Sequence, residues 1–330
     1  VAVSSHGKLR ALAGCGSFTY DLDSPRVTAE TVFDLASMTK VIATTTMAML
    51  LYERGAFSLG LPVVDVAPEF AEGDARKKQI TFRMLLAHSS GLPAHVKLYE
   101  QARTPAELLE TAFRVPLEAA PGERAVYSDI GFIVLGEALA RIAGEPIDEF
   151  CKHEIFQPLG MMRTRFNPPP EWKLQIPPTE DDCTFRLRVI QGEVFDENCF
   201  AFGGVSGQAG LFGAAEDVAR FAHCMLSGGA PILKNETVTL FTQRERNSTD
   251  TSRALGWDTP SAPSQSGKYF SPTSFGHLGY TGTSLWIDPE RELSITLLTN
   301  RTWADRKSQK IKEIRPRFHD AIIEAVKDAR

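Results

Sequence analysis

Strand-type patterning occupies the two ends of this chain and helix-type patterning its middle, so any sheet has to be assembled from segments at opposite ends of the sequence. Residues 1–3 and 9–13 are apolar stretches around His6-Gly7-Lys8, the spacing of a hairpin, and 283–300 reads as two strands around the turn Asp288-Pro289-Glu290-Arg291. Between 58 and 165 the signals are helical, at 81–87, 105–113, 128–143 and 147–156, separated by Gly and Pro. Prolines 168, 169, 170, 177 and 178 predict an extended loop over 167–182. Helix is expected again over 216–227 and in a short closing segment, 320–329. A further long, apolar helix starts near Ser37 and stops at Gly55.

The 330 residues are 43% hydrophobic and 23% charged, enough for a large core and for two lobes. A net charge of -5 gives no field that would draw the molecule to nucleic acid or an anionic membrane. The basic residues near the C-terminus, Lys307, Lys310, Lys312, Arg315 and Arg317, read as a solvated helix face. The sequence has no apolar run long enough to span a bilayer. Cys15, Cys151, Cys183, Cys199 and Cys224 are scattered and odd in number, as free thiols would be, and lean toward a reducing compartment. The start at Val1, without Met, leaves a periplasmic location open.

Several catalytic and cofactor motifs are absent. Gly204-Val-Ser206-Gly-Gln208 lacks the second glycine of a nucleophile elbow, and Gly14-Cys-Gly16 lacks the third glycine of a dinucleotide loop. Gly267-Lys268 lacks the upstream glycine of a phosphate loop, and His153-Glu154 lacks the second histidine of a helical zinc site. No metal or organic cofactor is expected. His88 and His223 each read as a hydrogen-bonded packing residue or an ordinary surface one.

Ser37-Met-Thr-Lys40 places a hydroxyl and an amine one helical turn apart on one face. Serine becomes nucleophilic when a neighbour takes its proton, and an apolar helix could desolvate Lys40 enough for that task. A serine in a first turn also carries an amide free to hold an oxyanion. The spacing is common by chance, so its company decides.

Phe33-Asp-Leu-Ala-Ser37-Met-Thr-Lys40 resembles the first motif of the penicillin-recognising serine hydrolases, meaning class C β-lactamases, DD-peptidases and family VIII carboxylesterases. Tyr127-Ser-Asp129 resembles their second motif and His277-Leu-Gly279 their third. The stretches Leu85-Leu-Ala-His-Ser-Ser-Gly-Leu-Pro93 and Pro158-Leu-Gly-Met-Met162 extend the likeness over most of the chain. The resemblance implies an α+β fold of the β-lactamase/DD-peptidase type, an antiparallel sheet flanked by helices with an inserted helical lobe. Residues 1–57 and 211–330 would form the sheet domain and 58–210 the lobe. It further implies Ser37 as nucleophile, Lys40 and Tyr127 as general base and acid, and the amides of Ser37 and Tyr280 as oxyanion hole. Asp129, His277 and Gly279 would contact substrate.

Two departures bear on that substrate. Asp129 stands where the family usually has asparagine, so a side-chain donor to an amide carbonyl is lost, and an ionised Asp129 would favour a protonated Lys40 and shift proton abstraction toward Tyr127. Leu278 replaces a hydroxyl, and His277 offers only a partial cation in place of a lysine, so the grip on a substrate carboxylate is weak. Hydrolysis of a short-chain ester is therefore expected. The alternatives are a β-lactamase, a D-alanyl-D-alanine carboxypeptidase or D-aminopeptidase, and an idle relative that only binds peptidoglycan fragments or β-lactams. The expected partner is a small ester, amide or β-lactam. Phe195 and Gln208 stand where the resemblance leads one to expect histidine, in and before a glycine-rich stretch, 203–212, that would line the cleft. Residues 258–275 are expected to form a rim loop.

Overall fold

The computed structural model of the chain describes residues 1–246, 251–304 and 306–328, with side chains as far as 326 at its C-terminal end. Its strands are β1 (Ala2–Ser5), β2 (Lys8–Leu12), β3 (Val32–Asp34), β4 (Arg165–Phe166), β5 (Glu180–Asp182), β6 (Arg188–Ile190), β7 (Leu211–Ala214), β8 (Phe275–Leu278), β9 (Ser284–Asp288) and β10 (Leu293–Leu297). The main sheet has the order β2-β1-β10-β9-β8 and is antiparallel throughout, with β1 of the N-terminal end paired to β10. The two ends of the chain thus build one sheet. The outer strand β2 carries Lys8 and Arg10, charges that discourage pairing with another edge.

Alternation along the strands divides the sheet into two packed faces. Leu285 and Ile287 join the large core with Val218 and Phe221, whereas Trp286 between them packs with Val3, Ile295 and Ile323 on the opposite side. The long segment 36–53 enters the same large core. It begins as a 3-10 turn (Ala36–Met38), passes through a π-helical stretch (Lys40–Thr45) and ends as α1 (Thr46–Glu53). Of the helices of the middle of the chain, α2 (Phe82–Leu86), α3 (Pro105–Arg114), α4 (Asp129–Ala143) and α5 (Ile147–Cys151), the last two pack against this segment and the first two pack in turn on α4. A capping box at Thr104 and Glu107 starts α3, and Gly144 in the left-handed region closes α4.

A second sheet, β3-β7-β4, fixes the three residues just upstream of Leu35. Its strands are too short for alternation to be visible in sequence. The stretch 167–182 is extended in part, but it contains a 3-10 turn (Pro170–Gln175) and ends in β5, which forms a hairpin with β6. After β6 come α6 (Glu197–Ala201), α7 (Ala215–Leu226) and α8 (Asn235–Thr242).

The closing helix α9 (Ile311–Asp328) starts well before the expected 320. Its buried face runs Ile311, Arg315, His319, Ile323, and the two ionisable members hide the helical period from any reading based on apolar spacing. Lys310, Lys312 and Arg317 are solvated as expected; Arg315 is not. Its guanidinium reaches the carbonyls of Gly279 and Thr283.

Candidate active site

Between Thr31 and Leu51 every residue is buried except Ser37. The strand β3 delivers the chain to that point, and Ala36 takes φ 47°, a left-handed conformation that an L-residue adopts only under constraint. The constraint is visible. Asp34 Oδ1 accepts the Ala36 N–H at 2.8 Å, Thr281 donates to the Asp34 carbonyl at 2.8 Å, and Thr283 donates to the Leu35 carbonyl at 3.1 Å.

Lys40 is fully buried, and its three donor positions are matched by Ser37 Oγ at 3.1 Å, Asp129 Oδ1 at 2.6 Å and the Gln208 carbonyl at 2.9 Å. Burial alone would lower its pKa, but the charge of Asp129 and the oxygen of Tyr127 outweigh burial and raise it above the ordinary lysine value. Desolvation therefore does not yield the neutral amine that the apolar helix suggested. Lys40 is an ammonium, and Asp129 is its counter-ion: burial pushes that carboxyl up, and the charge of Lys40 together with His95 pulls it well below the usual carboxylate range.

Tyr127 lies with its ring centroid 4.9 Å from Lys40 Nζ. Burial raises its phenol above 10, and Lys40 and Ser37 pull in the opposite direction. His277 is buried, and burial followed by the charges of Lys40 and Arg253 lowers it to about 3, so it is neutral, not a partial cation. Its Nδ1 donates to the Leu278 carbonyl at 2.8 Å, which leaves Nε2 a buried acceptor without a partner among the described residues. Gly279 abuts the Leu35 carbonyl so closely that a Cβ there would lie 2.6 Å from it and 2.0 Å from Thr283 Oγ1. The three motifs thus converge on one site: Ser37 and Lys40 from the start of the buried helix, Tyr127 and Asp129 from the entry to α4, and His277 to Tyr280 from β8 and the turn after it.

Two side chains at this site, His95 and Arg253, were not singled out from sequence, and two more, His88 and Asp34, lie in stretches that were. His95 Nδ1 lies 3.7 Å from the second oxygen of Asp129, which raises the pKa of the imidazole. Arg253 places its guanidinium 5.3 Å from the Tyr127 centroid, and among the described residues its nearest carboxylate, Asp258, is 3.8 Å away. His88 accepts the Ser128 N–H at 3.0 Å and packs 4.7 Å from Tyr127; it is a packing residue, as read, but one that walls the site. Asp34 is pushed up to about 6 by burial although Phe195 and Ala36 donate to it. His95 and Arg253 have no motif of their own and reach the site through loops, whereas Asp34 is the last residue of β3. His223 lies on the surface. Gln208 donates to Asp196 at 3.3 Å, while its carbonyl receives Lys40.

A serine held by a buried ammonium at a helix start, beside a tyrosine and beneath a strand edge, belongs on this fold to serine hydrolases. Residues 1–314 match the model of the β-lactamase family, and the chain belongs to that family. A relative from Escherichia coli (strain K12), provisionally named D-alanyl-D-alanine carboxypeptidase, is 34% identical over 312 residues, covering 84% of this chain and 70% of its own. An N-acetylmuramyl-L-alanine amidase of Bacillus subtilis (strain 168) is 33% identical over 309 residues, covering 84% and 69%. Among solved structures, EstCE1, a hydrolase with promiscuous acyltransferase activity, superposes with a TM-score of 0.75 at 22% identity over 94% of this chain and 91% of that one. That likeness carries the fold, an α+β β-lactamase/transpeptidase-like architecture.

Proposed function

We propose that Ser37 is acylated by a small ester substrate and that water then releases the acyl group, with the cleft closed by the lobe of residues 58–210. The observation that carries this reading is the buried Lys40 ammonium, bonded at once to Ser37 Oγ and to Asp129. Burial holds the resting Tyr127 as a phenol, and the fixed cation beside its hydroxyl stabilises the phenolate once it forms. In that form Tyr127 takes the Ser37 proton as Oγ bonds to the acyl carbon. The charge that develops on the carbonyl oxygen meets the Ser37 and Tyr280 amides. As the tetrahedral adduct collapses, Tyr127 returns the proton to the departing alkoxide, so the alcohol leaves neutral and Tyr127 is a phenolate again. Water repeats the sequence against the acyl-enzyme, and its proton ends on Ser37.

Ester is preferred over amide because Asp129 is an ionised acceptor already engaged by Lys40 and His95, and no side-chain amide stands there to polarise a peptide carbonyl. A second reading, a D-alanyl peptide or muramyl peptide substrate, is supported by the names of the two curated relatives and by the guanidinium of Arg253, which faces Tyr127 and, among the described residues, has no carboxylate closer than Asp258 at 3.8 Å.

The test pairs labelling with turnover. Wild type and Ser37→Ala are treated with a fluorophosphonate and read by intact mass, then assayed on p-nitrophenyl butyrate, a D-alanyl-D-alanine peptide and a chromogenic cephalosporin. One fluorophosphonate adduct on wild type, none on the variant, and fastest turnover of the ester are expected. An unlabelled wild type refutes the acyl-enzyme. A labelled wild type that cleaves the peptide and spares the ester refutes the ester preference.

A further inference from the structure

Tyr280 is half exposed, yet its ring and its carbonyl are both clamped. Arg301 Nε donates to the Tyr280 carbonyl at 2.7 Å, and the same guanidinium lies over the Tyr280 ring, 4.0 Å from its centroid. The ring also stacks on Phe195, with centroids 5.6 Å apart at 24°. Phe195 in turn carries the guanidinium of Arg306 at 4.5 Å, and Arg306 is fixed by Glu180 and Glu197. An exposed aromatic gains little by burial, so two arginines and a phenylalanine spent on immobilising it call for another reason.

The backbone of Phe195 supplies one. Its N–H donates to Asp34 Oδ2 at 2.7 Å, and its carbonyl accepts from Arg186 at 2.8 Å. The other oxygen of Asp34 holds the Ala36 N–H, one residue before Ser37, and the Asp34 carbonyl holds Thr281, one residue after Tyr280. One carboxylate therefore ties the plate beneath Tyr280 to the turn that presents Ser37. Among the described residues, the Tyr280 N–H itself donates to no protein carbonyl. A free amide next to a tightly fitted glycine is the geometry an oxyanion donor needs, and such a donor works only if held to within about 0.5 Å.

We propose that Phe195 and Arg301 are positioning residues that hold the Tyr280 amide as an oxyanion donor, acting through the series Arg301, Tyr280, Phe195, Arg306 and anchored by Asp34 to the Ser37 turn. This rests on the acyl-enzyme reading above. It also gives a role to Phe195 at a position where histidine was expected: a flat apolar surface for stacking.

Phe195→Leu removes the stack, Phe195→Tyr restores it, and Arg301→Lys keeps a cation while losing the planar contact and the fork of donors. Each is measured on the ester for kcat and KM, and against an alkylboronic acid, whose tetrahedral adduct resembles the transition state. Losing a whole oxyanion donor costs roughly 100- to 1,000-fold in kcat, so a loosened one should cost about 10- to 100-fold. Phe195→Leu and Arg301→Lys should lose kcat and boronate affinity in parallel with KM within about threefold, and Phe195→Tyr should recover both. A merely structural role would lower the melting temperature without changing boronate affinity relative to KM, and that result overturns the proposal. Folded Phe195→Leu and Arg301→Lys with wild-type kcat overturn it too, while fluorophosphonate labelling of Ser37 shows the acyl-enzyme intact. Absence of labelling in wild type would remove both readings together.

Discussion

Asp129→Asn is the substitution whose consequences follow most directly from the charges at the site. Lys40 Nζ and Asp129 Oδ1 are 2.6 Å apart. At an effective dielectric near 20, two unit charges at that distance interact by roughly 6 kcal/mol, before the cost of taking both out of water is deducted. Asparagine keeps an acceptor for Lys40 but removes the charge. The buried amine then feels desolvation without its counter-ion, and Tyr127 loses the Asp129 charge that helps to hold its proton on. Removing an adjacent charge typically moves a pKa by about 1–3 units, and here both groups move downward, Lys40 by losing an opposite charge and Tyr127 by losing a charge of the same sign as its phenolate.

The assay is the pH profile of kcat/KM on p-nitrophenyl butyrate. Wild type should gain activity into the alkaline range, because its base must ionise against a raised pKa. In Asp129→Asn the limb should move about 1–2 units toward acid, raising the rate at pH 7 by roughly tenfold or more, since each unit multiplies the deprotonated fraction by ten. Stability should move the other way. Breaking a buried pair by removing one partner costs up to about 3–5 kcal/mol, so the variant should melt lower at pH 7. It should regain stability as pH rises, because a lowered Lys40 pKa means that the unfolded chain binds more protons there. In wild type the contribution of Asp129, a depressed carboxyl, is complete above its unfolded value of 3.8 and is lost as pH falls toward 2. A folded, fluorophosphonate-labelled Asp129→Asn whose alkaline limb stays in place or moves to higher pH would refute this account of the resting charges.

Tyr127→Phe should lower kcat by about 100- to 10,000-fold while Ser37 still reacts slowly with fluorophosphonate, and the alkaline limb should vanish; a profile unchanged in shape would assign the base elsewhere. Gly279→Ala pushes a methyl into the Leu35 carbonyl and Thr283, so it should cost about 1–3 kcal/mol by chemical denaturation and most of the activity; a silent substitution would mean that the two segments separate freely. Lys77 is a buried cation lowered to about 8 by desolvation, with its Nζ on the Phe113 carbonyl at 2.5 Å and over the Phe70 ring. Wild-type stability should therefore rise between about pH 8 and 10.5, where the unfolded state holds the extra proton, and Lys77→Met should stabilise at pH 7 by ~1–3 kcal/mol and flatten that rise in pH-dependent thermal melts.

How much of this was legible in sequence depends on the range of the interaction concerned. The sheet built from both chain ends, the helices at α3, α4 and α7 and the segment that starts near Ser37 follow from local spacing and capping, which a sequence displays directly. The pairing of β3 with β7 does not, because strands of three or four residues carry too little alternation to be read. The early start of α9 was hidden because its inward face includes Arg315 and His319, each buried only because a distant backbone carbonyl lies within reach. The candidate site divides in the same way. Ser37, Lys40, Tyr127, Asp129 and His277 sit in segments with their own patterns, and the structure brings them together. Their protonation states do not belong to those segments. Lys40 is an ammonium because Asp129 arrives from α4, and His277 is neutral because Lys40 and Arg253 surround it. His95, Arg253 and Phe195 lie in loops whose positions are set by Asp129, Asp258 and Asp34, contacts that only the folded chain creates. The chemistry of the cleft therefore follows from which charges meet, and the same three motifs around an asparagine at 129 would rest in a different protonation state.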